Sequence, residues 1–197
     1  RSSFNFGLDA LDSTIDSTAE DHSIPDSKFF SWLGQFQYVQ RLDFLPAKLQ
    51  NSQVIFRTDV QLADQGLLPL EKLSIGGATT VRGYRENYLT RDNGFISSLE
   101  VRISHEKWKL PIPNVSKNPE DGRIELTPFI DYGRAWNADE AFELDDDILS
   151  VGLGLRWNPS PKFQTQLYWG HALIDVPDPE DKDLQDDGVH FELSIKY

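Results

Sequence analysis

LSIGGATTVRGYRENYLTRDNGFISSLE, residues 73–100, is too rich in glycine and charge to be a strand and too patterned to be a spacer. Gly76, Gly77, Gly83 and Gly94 permit backbone conformations that side chains exclude. A compact, hairpin-like loop over about residues 65–94 is therefore expected, with Arg82 and Arg85 on it. Loops of this length inside a β-protein are uncommon, and they are functional or disordered.

Outward from this loop, apolar and polar residues alternate with the period of a strand that has two different faces. Phe4, Phe6 and Leu8 alternate within Ser3 to Leu11. In Phe29 to Phe44, Phe30, Trp32, Phe36, Tyr38 and Leu42 oppose Leu33, Gln35, Gln37 and Arg41. Val54, Phe56, Thr58, Val60 and Leu62 face away from Arg57, Asp59 and Gln61. After the loop, Phe95, Leu99, Val101 and Ile103 oppose Ser98, Glu100, Arg102 and Ser104. Ile124, Leu126, Ile130, Tyr132 and Trp136 oppose Glu125, Thr127, Phe129, Asp131 and Gly133. The same pattern runs through Leu149 to Trp157, Phe163 to Leu173 and Val189 to Tyr197. These are eight strands of roughly 9–12 residues, the length that crosses a bilayer when tilted. No segment approaches the roughly 18–20 apolar residues of a membrane helix, but barrel strands give only a weak hydropathy signal.

The connections sort by end. Asp12 to Lys28, Gln65 to Asn93, Asn137 to Asp147 and Ile174 to Gly188 are polar, mostly acidic and mostly long. Those between contain proline and, apart from Lys109 to Gly122, are short. Long loops at one end and turns at the other mark outer-membrane barrels. The predicted fold class is all-β, a transmembrane antiparallel β-barrel, with residues 1–197 as one domain. An open sheet with an apolar outer face would aggregate, so it must close or gain strands. A closed eight-stranded barrel is filled by its own side chains and has no room for the loop.

Composition narrows the function. The net charge of −13 sets nucleic acid aside as a partner, because phosphate binding needs clustered Lys and Arg. With no cysteine there is no disulfide framework, thiolate metal site or thiol nucleophile. The chain has no methionine and opens at Arg1 within a strand pattern, so it reads as the C-terminal piece of a longer protein.

The run Val81-Arg82-Gly83-Tyr84, with Gly76-Gly77 before it and DNGF…SSLE after it, resembles the signature of the outer-membrane-assembly and two-partner-secretion superfamily. It is most similar to the haemolysin-activator type of two-partner secretion transporter. Phe129-Ile130-Asp131-Tyr132-Gly133 matches that family's Phe-x-Asp-x-Gly motif on the barrel wall, and Glu100 matches its acidic residue after the loop. The resemblance implies a sixteen-stranded barrel in the outer membrane, of which this chain supplies the C-terminal eight strands. The N-terminal half and the POTRA domains would then lie outside it. It further implies that the loop folds inward and that Arg82 bonds Asp131 and Glu100 as a latch required for transport. Arg suits the role because its planar fork binds carboxylate bidentately. The implied partners are a haemolysin- or adhesin-type protein secreted in extended form, outer-membrane lipid and the barrel-assembly machinery. No enzyme chemistry, cofactor or metal is implied.

Phe191, Leu193, Ile195 and Tyr197 on the last strand resemble the assembly signal of outer-membrane proteins, although any amphipathic strand ending would look similar. Trp32, Trp136, Trp157 and Trp169 fit interfacial girdles or ordinary strand packing. Gln35, Gln37, Arg57, Gln61, Arg102, Gln164 and Gln166 fit a hydrated conduit. The acidic run Asp178 to Gly188 lacks the spacing of a calcium loop and reads as solvated. His22, His105, His171 and His190 lack ligand spacing and read as structural. Three alternatives stay open at this level: an assembly factor of the same superfamily, a complete eight-stranded structural or adhesive barrel, and a soluble β-sandwich.

Overall fold

The alternating segments form an antiparallel meander. A computed structural model describes residues 1–7, 28–49, 51–138, 146–177, 181 and 183–196. Its strands are β1 (Ser2–Gly7), β2 (Phe29–Arg41), β3 (Gln53–Ala63), β4 (Leu73–Ile75), β5 (Leu89–Arg91), β6 (Asn93–Lys109), β7 (Arg123–Trp136), β8 (Asp146–Ser160), β9 (Phe163–Ala172) and β10 (Val189–Ile195). Eight of them make one sheet in the order β1-β2-β3-β6-β7-β8-β9-β10, with β1 and β10 as its edges. Every adjacent pair is antiparallel. Leu8 to Leu11 of the expected first strand, nearly all of the loop that follows it, residues 139–145 and Tyr197 lie outside the described residues.

Side-chain alternation gives this sheet two unlike faces. One carries exposed Phe4, Phe6, Phe36, Leu99, Ile130, Leu153, Leu155, Leu167, Trp169 and Phe191, an apolar surface far larger than a water-soluble monomer normally leaves bare. The other carries Gln37, Arg57, Ser98, Glu100, Asp131 and Gln166. Among the described residues no helix is long and apolar enough to cross a membrane, which says nothing of strands. β6 and β8 have 17 and 15 residues, more than the minimum for crossing. Both run past their apolar alternation into polar residues at the turn end, through a register shift between Ser104 and Lys109 in one and between Trp157 and Ser160 in the other.

The glycine-rich stretch differs from its expectation in one respect. Its flanks do pair: Leu73–Ile75 and Leu89–Arg91 form a two-stranded stem, and only the glycine-bearing middle is tip. The stem is tied at its base by Asp92, whose carboxylate accepts from Leu67 N (2.9 Å) and Ala138 N (3.1 Å) and faces Lys72 Nζ at 3.1 Å. Gln61, read above as a conduit residue, is buried there instead and donates to Glu71 O and Asp92 O.

The whole element lies on the polar face, but the contact beneath it is dry. Ile75, Val81, Tyr84 and Leu89 from the loop pack on Ile96, Ala135 and Ile148 from the wall. The face that carries the polar residues is therefore not polar throughout, because apolar inward residues interrupt the pattern under the loop.

The apolar face implies a depth-dependent penalty for charge. Leu153→Arg in the full-length protein is expected to destabilise the barrel by about 2–4 kcal/mol, as for a cation near the bilayer midplane. Gln37→Arg, on the opposite face, should stay within about 0.5 kcal/mol. Folding titrations into liposomes measure both.

Candidate functional site: the VRGY loop on the sheet wall

The sheet register brings the site together. Ser98 pairs directly with Asp131 across β6 and β7, and Glu100 pairs with Phe129, one inward position further along. On the far side of β7, Phe129 faces Gly152 and Asp131 faces Ser150. Gly152 in turn pairs with Gly170 of β9. These glycines leave a trough. A Cβ on Gly152 would lie 2.3 Å from the Phe129 ring, and one on Gly154 would lie 2.3 Å from the Tyr168 ring. Both rings therefore fold down into space that larger residues would fill.

Arg82 enters the trough from the loop and is 2% exposed. Its Nε donates to Asp131 Oδ2 (2.7 Å) and its Nη2 to Asp131 Oδ1 (2.9 Å), a bidentate fork. Its Nη1 donates to Glu100 Oε2 at 2.5 Å and its Nη2 also to Ser98 Oγ at 3.2 Å. The Arg82 backbone N donates to Asp131 Oδ2 as well, at 3.1 Å. Ser98 Oγ donates to Asp131 Oδ1 (2.6 Å), and Arg102 Nε donates to the second oxygen of Glu100 (2.8 Å). The guanidinium carbon lies 3.6 Å from the Phe129 ring centroid and 4.8 Å from that of Tyr168, close enough for cation–π attraction. Burial works against the charge on Arg82, but the bonds to Asp131 and the charges of Asp131 and Glu100 outweigh it. The group is held above its ordinary pKa, so it stays a cation.

The neighbours of Arg82 complete the seat. Val81 packs fully buried against the wall, where Gly133 leaves room for it and for Ile75. Gly83 has φ +95° and crosses Gly170 backbone to backbone, so a Cβ on Gly170 would lie 2.6 Å from Gly83 N. Gly83 N donates to Nε2 of the buried His190 at 3.2 Å. The Tyr84 hydroxyl lies within 2.8 Å of Leu149 O and 3.0 Å of Ile174 O, which accept its proton, and it accepts from Leu149 N and Ile174 N. Burial raises the Tyr84 pKa, which keeps that donor protonated.

The structure thus gathers Val81, Arg82, Gly83, Tyr84, Glu100, Phe129, Asp131 and Gly133 into one contact region. It does not include Phe191, Leu193 or Ile195, which are exposed on the opposite face of β10. Sequence reasoning passed over Ser98, Tyr168, Gly170 and His190 as site residues. Their place in the alternation put each on the polar face, and that was the available signal. Arg102, read as a conduit residue, is the second cation of the cluster. Among the described residues no group of His, Asp and Glu is arranged to hold a metal.

The model of one family, haemolysin secretion/activation protein ShlB/FhaC/HecB, matches residues 1–157. The chain belongs to that family. Arg82, Glu100 and Asp131 lie within the matched residues, while Gly170 and His190 lie beyond them. The family is one of outer-membrane β-barrel transporters of two-partner secretion and not of enzymes. Among solved structures the chain is similar to CdiB from Acinetobacter baumannii, at 22% identity and a TM-score of 0.58, over 86% of this chain and 28% of that one. That likeness concerns the fold, and the chain spans under a third of the other protein's length. No curated protein sequence matches the chain.

The backbone crossing at Gly170 is a sharp test of how the loop is seated. Gly170→Ala should weaken loop docking by about 1–3 kcal/mol, the usual cost of an overpacked contact. Amide exchange at Gly83 and Tyr84 in the full-length protein should accelerate roughly five- to 150-fold, at 1.4 kcal/mol per factor of ten.

Proposed function

We propose that the protein is an outer-membrane translocator that secretes a partner protein of haemolysin or adhesin type, in extended form, through its barrel. Residues 1–197 form the C-terminal half of that barrel. The loop at about 65–94 reaches into the lumen and lies on the wall, and Arg82, Asp131 and Glu100 are the latch that holds it there. The observation that carries this reading is the buried Arg82, forked onto Asp131 and bonded to Glu100.

A loop fixed by four charged side chains in a dry seat occupies one position. In a conduit, such an element shapes the path without contributing strands to the wall. Secretion of a chain then needs no chemistry from the protein. It needs a water-lined passage and an element that keeps the passage in the right state. Family membership favours secretion over insertion of other barrels as the task. Phe191, Leu193 and Ile195 are the proposed assembly signal, exposed outward where a barrel-assembly machine would meet them. Tyr197, which belongs with them in the sequence, lies outside the described residues.

Arg82→Ala removes the cation and leaves Asp131 and Glu100 facing each other's charge, a loss of about 3–5 kcal/mol for a buried pair. In cells making the full-length protein and its passenger, this variant should secrete at least roughly tenfold less passenger, since 1.4 kcal/mol already corresponds to tenfold. The amount of barrel in the outer membrane should be nearly unchanged. Normal secretion by the variant would overturn the latch. Separately, Phe191→Ser should lower the amount of assembled barrel without altering secretion per barrel, as read by heat-modifiable migration and passenger assay together.

A further inference from the structure

Beyond Tyr84 the loop turns away from the wall and meets the β9–β10 connection. Arg85 Nε donates to Asp186 Oδ1 (3.0 Å) and Arg85 Nη2 donates to Asp186 Oδ2 (2.6 Å), a second bidentate fork. The same Nη2 reaches Asp181 O at 2.6 Å and lies 3.9 Å from Asp183 Oδ2. Glu86 N donates to Gln185 Oε1 at 3.0 Å. The acidic run that reads as a solvated loop is in this part a built acceptor. Asp186 Oδ2 accepts from Asp183 N, and Asp183 Oδ1 accepts from Gln185 N, each at 2.7 Å.

This turn is anchored to the sheet at the same place as the VRGY tip. Gly188, with φ +74°, accepts from Gly170 N through its carbonyl at 2.8 Å, and Gly170 is the residue that Gly83 crosses. Between the two loops lies a cavity of about 110 Å³ lined by Tyr84, Tyr88, Ala172, Val176, Pro177 and Asp186, among others. Apolar packing therefore does not close the seam there, and the charged contacts bridge it.

We propose that Arg85 is a positioning residue that clasps the VRGY loop to the β9–β10 loop, so that the β9–β10 loop sets where the VRGY loop lies and carries it along when displaced. The consequence for transport rests on the reading of the loop as a lumen element. The two anchors differ in environment. Arg82 is dry, whereas the Arg85 side chain is 37% exposed. The Arg85 anchor is the one that salt can loosen, since the screening length falls from about 10 Å at 0.1 M to about 3 Å at 1 M.

The test uses the full-length protein in liposomes, with any cysteine outside residues 1–197 replaced by serine, and spin labels at Thr79→Cys and Leu184→Cys, both exposed sites in a stretch that has no cysteine of its own. The parent should give one narrow distance distribution. Arg85→Ala and Asp186→Asn should each broaden it and shift it to longer distance. The double variant should go no further than either single, and 1 M salt should change the parent but not the variants. Asp186→Asn keeps an oxygen for Asp183 N, so the turn itself survives, and heat-modifiable migration verifies a folded barrel. A narrow, unshifted distribution in both single variants would overturn the clasp. Broadening with passenger secretion and ion leak unchanged would uphold the clasp and overturn the assignment of the loop to the transport path.

Discussion

A guanidinium taken out of water must find opposite charge and acceptors for its donors, and the structure around Arg82 is arranged by that requirement. Removing an ion from water costs several kcal/mol even after relaxation, and only close, fully bonded partners repay it. Here two cations, Arg82 and Arg102, meet two anions, Glu100 and Asp131, so the cluster carries no net charge. What it supplies beyond stability is position. Asp131 holds both the side chain and the backbone nitrogen of Arg82, so sliding the loop by one residue would lose both bonds at once. An apolar seat would tolerate such a shift far better, because dispersion contacts have no direction.

The sheet makes that seat through its two-residue period and its register. Pairing Ser98 with Asp131 and Glu100 with Phe129 puts the acceptors on one face at neighbouring steps. Glycines at 133, 152, 154 and 170 then lower the floor on successive strands, so that Phe129, Tyr168, Val81 and the Gly83 backbone all fit beneath or beside the guanidinium. The motif in the loop and the glycines in the wall form a single fitted surface, although more than 80 residues separate Gly83 from Gly170 in sequence. A side chain at Gly170 would act on the loop as directly as a change within the loop.

Much of this was legible in sequence because alternation sorts residues by face. It put Glu100 and Asp131 on one side, together with Arg102, Tyr168 and His190, and it gave the number and order of the long strands. What alternation cannot give is depth. Ser98, Tyr168 and His190 had the same signature as residues facing water, and only the descent of the loop makes them buried. Ile96 and Ile148 ran against the expected polarity of their face. The strand holding Ile148 reads in sequence as starting at Leu149, three residues after its start at Asp146, because Asp146 and Asp147 resemble loop. The acidic run near Asp186 is mostly exposed over its described residues, as its composition says, but its pairing was hidden for a related reason. Its partner Arg85 is about a hundred residues away, and composition alone describes such a run as solvated.

The chemistry of the contact also bears on how the loop could leave it. An apolar seal of this size is expensive to open, because both bare surfaces then order water or find other cover. The loop of this protein divides its contact instead. Ile75, Val81, Tyr84 and Leu89 supply a modest apolar underside, and the rest of the hold is ion pairs together with the hydrogen bonds of Gly83 and the Tyr84 hydroxyl. When charged groups part into water they recover hydration, which offsets much of the attraction that is lost, so the net cost of release is smaller than the bond lengths suggest. The arrangement is therefore exact in where it places the loop and moderate in how hard it grips. Direction comes from the charged and hydrogen-bonding groups, and the apolar underside adds hold without fixing register.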